Sequence, residues 1–164
     1  MTGLFVAGMA TSLLLSGQAQ TKESLYAPLF EATYHAWRGR EFAVLATSIS
    51  MPTLRGASPD WLKQFDDVPV ALRTAASQTI SARPKDLQND MPGGVRTIAA
   101  DATHTVKAWI AFSDALVTPD GLDALVYYEA RCGSLCGEGG YAWLRRESVG
   151  ARWSVKKKIP KWFS

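Results

Sequence analysis

Two cysteines and two histidines are all that this chain of 164 residues offers for thiol or metal chemistry. A tetrahedral zinc site needs four ligands. Neither His35 nor His104 stands at a spacing from Cys132 and Cys136 that would complete one, so no metal and no cofactor is expected. A phosphate-cradling glycine loop is also missing. Gly137-Glu138-Gly139-Gly140 leads into a strand pattern, where such a loop requires a helix. Charge of one sign is scarce: a net +3 is too small to imply a nucleic-acid partner, and none is expected. Internal repeats and low-complexity tracts are absent. With 47% apolar and 20% charged residues, the composition is that of one globular domain with a full core.

The one stretch that resembles a membrane segment is too short to be one. Leu4 to Leu15 is uncharged and mostly apolar, yet crossing the hydrocarbon takes ~20 apolar residues. It fits an export signal instead. Small residues at Gly17 and Ala19 make the pattern of a cleavage site after Ala19. Residues 1–19 are expected to be a signal peptide and 20–164 a single domain, periplasmic or secreted, without a stable membrane span. No Lys or Arg precedes Leu4, so the amino terminus or an upstream start would supply the positive end. A buried N-terminal helix is the alternative.

Beyond that signal the chain reads as helices followed by strands. Thr21 to Arg38 places Tyr26, Phe30, Tyr34 and Trp37 on one helical stripe, with Leu25 and Leu29 on its flank. Pro28 belongs in the first turn, and Gly39 ends the helix. Glu41 to Ser50 is strand-like. Ser58-Pro59-Asp60 is an N-cap with proline at the first helical position. Asp67-Val68-Pro69 opens a further helix, and Ser81 to Gly94 is mostly loop. From Val95 onward, period-two alternation marks strands, with Val106, Ala108, Ile110 and Phe112 on one face. Ala124, Val126, Tyr128 and Ala130 form another such set. Strands return over Tyr141 to Glu147 and Trp153 to Ile159. This order predicts an α+β fold, with N-terminal helices packed on one face of a curved antiparallel sheet that ends in a C-terminal meander.

The most informative stretch is Cys132 to Tyr141, which holds both cysteines and four of the glycines. Across a three-residue hairpin loop, the cysteines would oppose each other at about 4.5–5.5 Å between Cα atoms, within reach of a disulfide. Export favours that oxidised pair; free thiols and a metal are the alternatives. Downstream, Arg145, Arg146, Lys156, Lys157 and Lys158 are a candidate patch for an anionic partner such as an envelope component. The competing reading makes them solvated strand positions whose lysines block edge pairing.

Ala124-Leu125-Val126-Tyr127, Cys132-Gly133, Leu135-Cys136-Gly137, Gly139, Leu144, Trp153, Val155, Trp162 and Ser164 carry a resemblance. They resemble uncharacterised exported bacterial proteins with a Cys-Gly-x-Leu-Cys-Gly-x-Gly hairpin and a terminal Trp-x-Ser. The resemblance covers about forty residues and implies no activity, cofactor or catalytic residue. The turn from Glu147 to Arg152 is longer than the compact turn of that pattern. The element order also resembles nuclear-transport-factor-like cone folds. Two functions follow as expectations. One is a non-enzymatic binding protein of the envelope, acting on an unknown partner through the hairpin tip or the basic strands. The other is a cone-like small-ligand binder or enzyme, with Tyr34, Trp37, His104 and Tyr128 lining a pocket between the first helix and the sheet.

Overall fold

Three α-helices and seven mostly antiparallel strands, counted among the described residues, give the α+β class expected from the sequence. The structure is a computed structural model that describes residues 24–36, 42–78, 84–133 and 135–164. The expected signal peptide, the side chain of His35, and Trp37 lie outside that set. The helices are α1 (Tyr26–Ala36), α2 (Pro59–Leu62) and α3 (Val70–Gln78). Short strands β1 (Ala43–Leu45), β2 (Thr97–Ile98), β3 (Trp109–Phe112) and β4 (Leu116–Val117) precede three long ones. These are β5 (Asp123–Arg131), β6 (Gly137–Arg145) and β7 (Ser154–Phe163). A 3-10 turn, Ala100–Thr105, stands between β2 and β3.

The sheet runs β2-β1-β3-β5-β6-β7, with β4 also on β5. It is open, and β2 and β7 are its edges. β1 lies parallel to both β2 and β3, a pairing that local periodicity does not reveal. Its residues Ala43, Val44 and Leu45 are all buried, the unbroken apolar run of a strand covered on both faces. Between β3 and β4, Ser113 bridges the break in the ladder. Its N–H donates to the Tyr127 carbonyl at 2.8 Å, and its hydroxyl oxygen accepts the Tyr127 N–H at 2.9 Å.

Helices cover both faces of the sheet, where one face was expected. The even residues of β5 (Ala124, Val126, Tyr128, Ala130) join Ile110, Phe112, Ala142 and Leu144 under Tyr26 and Leu29 of α1. The odd residues Leu125 and Tyr127 join Tyr141 and Ile159 under Phe65, Leu72 and Ala76. A smaller cluster places Ala43, Leu45 and Ala111 against Ala102 of the 3-10 segment and Val106 just after it. The physical reason is visible in β5 itself. Leu125 and Tyr127 are as apolar as their even neighbours, so either face exposed would cost roughly 1.5–3 kcal/mol per large side chain.

Helix α1 begins at Tyr26, with Pro28 inside its first turn as expected. The Ser24 hydroxyl accepts the Tyr26 N–H at 3.2 Å. Its buried stripe, however, is rotated from the aromatic one. Tyr26, Leu29 and Thr33 are buried, while Tyr34 is exposed. Phe112 and Tyr128 already fill the sheet beneath, and the smaller Leu29 and Thr33 occupy the centre. Phe30 and Tyr34 stack on each other at 5.7 Å, and Tyr34 meets Phe42 edge-on at 6.2 Å.

Candidate functional site

Cys132 and Cys136 form a disulfide across the β5–β6 hairpin, with Cα atoms 5.1 Å apart. The Cys132 N–H donates to the Cys136 carbonyl at 2.8 Å, one rung beyond the Arg131–Gly137 pair. Cys132 is buried at the rim of the α1 core, and Cys136 packs beside it. Gly133 has φ +101°, a left-handed backbone that other residues adopt only with strain. Leu135, between the cysteines, is 87% exposed.

The chain terminus is fastened to this tip. Gly137 and Ser164 exchange two backbone hydrogen bonds, at 3.2 and 3.0 Å. A Cβ on Gly137 would meet the Ala130 carbonyl at 2.9 Å and the Trp162 ring at 3.1 Å. The indole of Trp162 crosses β6 at Gly139 and reaches β5, where its N–H donates to the Tyr127 hydroxyl at 3.1 Å. Tyr127 in turn donates to the Glu129 carboxylate at 2.9 Å. Arg131 stands 3.6 Å from that carboxylate and over the rings of Trp162 and Trp109, at 4.7 and 5.9 Å from their centroids. Burial pushes the Tyr127 phenol up to about 12; the bond from Trp162 works against this and the Glu129 charge works with it. The hydroxyl therefore stays protonated as the middle link of the chain. The resemblance motif and the terminal Trp-x-Ser are thus two halves of one clasp. The sequence signal that could have found it is two glycines alternating on β6 opposite a tryptophan near the chain end.

Beside the exposed Arg131 and Ser164, this end of the sheet presents two large apolar side chains to solvent. Phe163, paired with Glu138 on the edge strand, is 70% exposed. With Leu135 it marks the tip end of the sheet.

The basic residues expected to form a patch are not brought together. Lys157 faces the α3 side and pairs with Asp67 at 3.1 Å. Lys158, its neighbour, points to the opposite face. It pairs with Glu138 at 2.7 Å and lies over the Tyr128 ring at 4.7 Å. Arg145 stands 4.0 Å from Asp123. Arg146 donates to the Gly121 carbonyl at 2.6 Å and covers Trp153. Lys156 is exposed. Strand alternation divides the set, and acids distant in sequence neutralise three of its members. The lysines sit on an edge strand beside Pro160, the arrangement that discourages pairing with another sheet.

Comparison of the chain with protein-family models, with curated proteins and with solved structures finds no match. The site is read from its own geometry.

Of the residues expected to line a pocket under the first helix, Trp37 lies outside the described residues and the other three are also separated. Tyr128 is buried beneath α1, its phenol raised by burial first and then by the Glu138 charge. Tyr34 lies at the exposed end of the same helix. His104 is exposed in the 3-10 segment packed on the opposite face, where the half-buried Ala102 and, just after the segment, Val106 make the contact with the sheet. The interface between α1 and the sheet is filled by Tyr26, Leu29, Phe112 and Tyr128, with Tyr26 and Phe112 rings 5.5 Å apart. Among the described residues, no group of three His, Cys, Asp or Glu could hold a metal ion. No helix among them is long and apolar enough to cross a membrane.

Proposed function

We propose that this chain is an exported, non-enzymatic interaction domain of a bacterial periplasm or envelope, in the group of exported proteins that its tip and tail resemble. It engages a partner protein of that compartment through the disulfide-closed end of the β5–β6 hairpin. One observation carries the reading: Leu135, a large apolar side chain, is 87% exposed at the apex of a covalently closed loop. Phe163, on the edge strand opposite Glu138, is likewise open to solvent. A large apolar side chain presented on a pinned loop loses little freedom on docking, and covering it removes apolar surface from water. The basic strands support the reading less well, since their charges are divided between faces and partly paired.

The test is site-specific photo-crosslinking at position 135 in the native host, with position 117 as control, because Val117 is also exposed but stands on β4, away from the tip. A discrete adduct from 135 alone, lost on Leu135→Asp in the same full chain, is the expected result. Equal labelling from both positions would overturn the docking surface. Sequencing of the mature amino terminus is expected to begin at Gln20, and a chain retaining Met1 would overturn export by cleavage.

A further inference from the structure

A second feature, independent of the tip, lies where β7 meets the turn before α2. An open depression of 330 Å³ is lined there by Thr53, Arg55, Ser58, Trp61 and Lys161, among others. That volume lies at the lower end of the range for small-molecule sites. We infer that it binds an oxyanion, a phosphate, sulfate or carboxylate group, carried on a small ligand.

Three observations converge on that chemistry. The first is charge. The nearby cations Lys63 and Lys157 are each held by a carboxylate, Asp60 at 2.8 Å and Asp67 at 3.1 Å. No carboxylate among the described residues pairs with Arg55 or Lys161. Two cations thus line one depression with no acid on its wall, an arrangement that attracts anions and repels cations. The second is the aim of Lys161. Gly139 pairs with Trp162 and Gly140 with Pro160, so Lys161 is the extra residue of a β-bulge. Bulges re-aim a side chain out of the strand's alternation and recur beside functional sites.

The third is that the wall is held before any ligand arrives. The Leu54 N–H donates to the Ala76 carbonyl at 3.2 Å, and the Thr53 hydroxyl donates to the Ser77 carbonyl at 3.1 Å. The Thr53 oxygen also accepts the Arg55 N–H at 3.1 Å. Gly56 makes the turn with φ +80°. On the other side, the Trp61 indole N–H donates to the Pro160 carbonyl at 2.8 Å, beside Lys161. The Ser58 hydroxyl oxygen accepts the Trp61 N–H at 3.4 Å, which leaves its own proton as a donor. Guanidinium, ammonium and hydroxyl donors on a fixed wall match an oxyanion, and preorganisation lowers the cost of ordering them.

The test is a nitrogen–proton NMR titration of the purified protein with sodium phosphate, sodium sulfate and sodium glucuronate. Sodium chloride at matched ionic strength and glucose serve as controls. The Trp61 indole signal, identified by its loss in Trp61→Phe, is expected to move saturably with at least one oxyanion and with neither control. Tighter binding of glucuronate would assign a sugar-borne carboxylate; tighter binding of phosphate or sulfate would assign the free or esterified anion. Arg55→Gln and Lys161→Gln should each weaken binding about fivefold or more, as loss of a charge-assisted hydrogen bond does. The double substitution should abolish it while the remaining spectrum stays that of the folded protein. Shifts that chloride or glucose reproduces, shifts that never saturate, or binding retained by the double variant would overturn the site.

Discussion

The indole of Trp162 lies where a side chain at Gly139 would have to stand: a Cβ there would be 2.3 Å from the Trp162 ring nitrogen. The glycine is an opening through which β7 reaches over β6 to hydrogen-bond Tyr127 on β5. Gly139→Ala should therefore displace the ring and destabilise the protein by about 1–3 kcal/mol, the usual cost of overpacking. Chemical denaturation in a double-mutant cycle checks it. In a Trp162→Ala background, Gly139→Ala is expected to cost well under half as much, because the obstructing ring is gone. Additive costs would show that the glycine serves backbone geometry and not the indole.

Ser113 holds the junction of β3 and β4 by a side-chain bond to the Tyr127 N–H at 2.9 Å. Ser113 is fully buried, so no water replaces its hydroxyl when it is removed. Ser113→Ala should cost about 1–3 kcal/mol, the penalty for a buried donor left without a partner. Faster hydrogen exchange at the Tyr127 amide, with distant β6 amides unchanged, is the local signature expected. Unchanged exchange at that amide would show that the backbone re-satisfies itself.

These two contacts also mark the limit of what the chain discloses before folding. The even face of β5 could be read directly, because Ala124, Val126, Tyr128 and Ala130 alternate with a period of two and all enter one core. The opposed cysteines were equally legible, since hairpin register fixes their separation. The place of β1 between β2 and β3 was not, because parallel pairing joins segments distant in sequence. The charges of β7 misled for a related reason. Lys157 and Lys158 look like one patch in sequence, but alternation turns them to opposite faces and toward Asp67 and Glu138. Arg55 and Lys161 meet at one depression only through the tertiary fold.

The disulfide closes a short ring, its cysteines four positions apart, so its contribution should be modest. The chain-entropy relation gives about 2 kcal/mol. The hairpin is independently held by the β5–β6 ladder and by the Gly137–Ser164 bonds. Cys132→Ser with Cys136→Ser should therefore leave the circular dichroism of the folded state unchanged while lowering the unfolding free energy, read from chemical denaturation, by that amount. Loss of the folded spectrum would show that the bond maintains the sheet and not only the shape of its tip.

Alkali should unfold this protein through its tyrosines. Of the five tyrosines, Tyr26, Tyr127, Tyr128 and Tyr141 have phenols raised above the ordinary value, in each case first by burial; Tyr127 reaches about 12. A phenol that ionises less readily in the folded state binds its proton more tightly there than in the unfolded chain. Its contribution to stability is complete below the unfolded value of about 10 and falls as pH rises from there through the folded value. Each of the four is also committed as a donor or ring contact. Tyr26 donates to the Ser113 carbonyl at 3.2 Å, Tyr141 donates to the Pro52 carbonyl, Tyr127 donates to Glu129, and Tyr128 lies under Lys158. Ionisation would remove the donated proton from the first three and bury a negative charge in all four. A spectrophotometric titration should therefore show most of the tyrosinate absorbance appearing above pH ~10 in step with the loss of circular dichroism. Full ionisation near pH ~10 with the fold intact would mean that these rings are far more accessible to water than their packing implies.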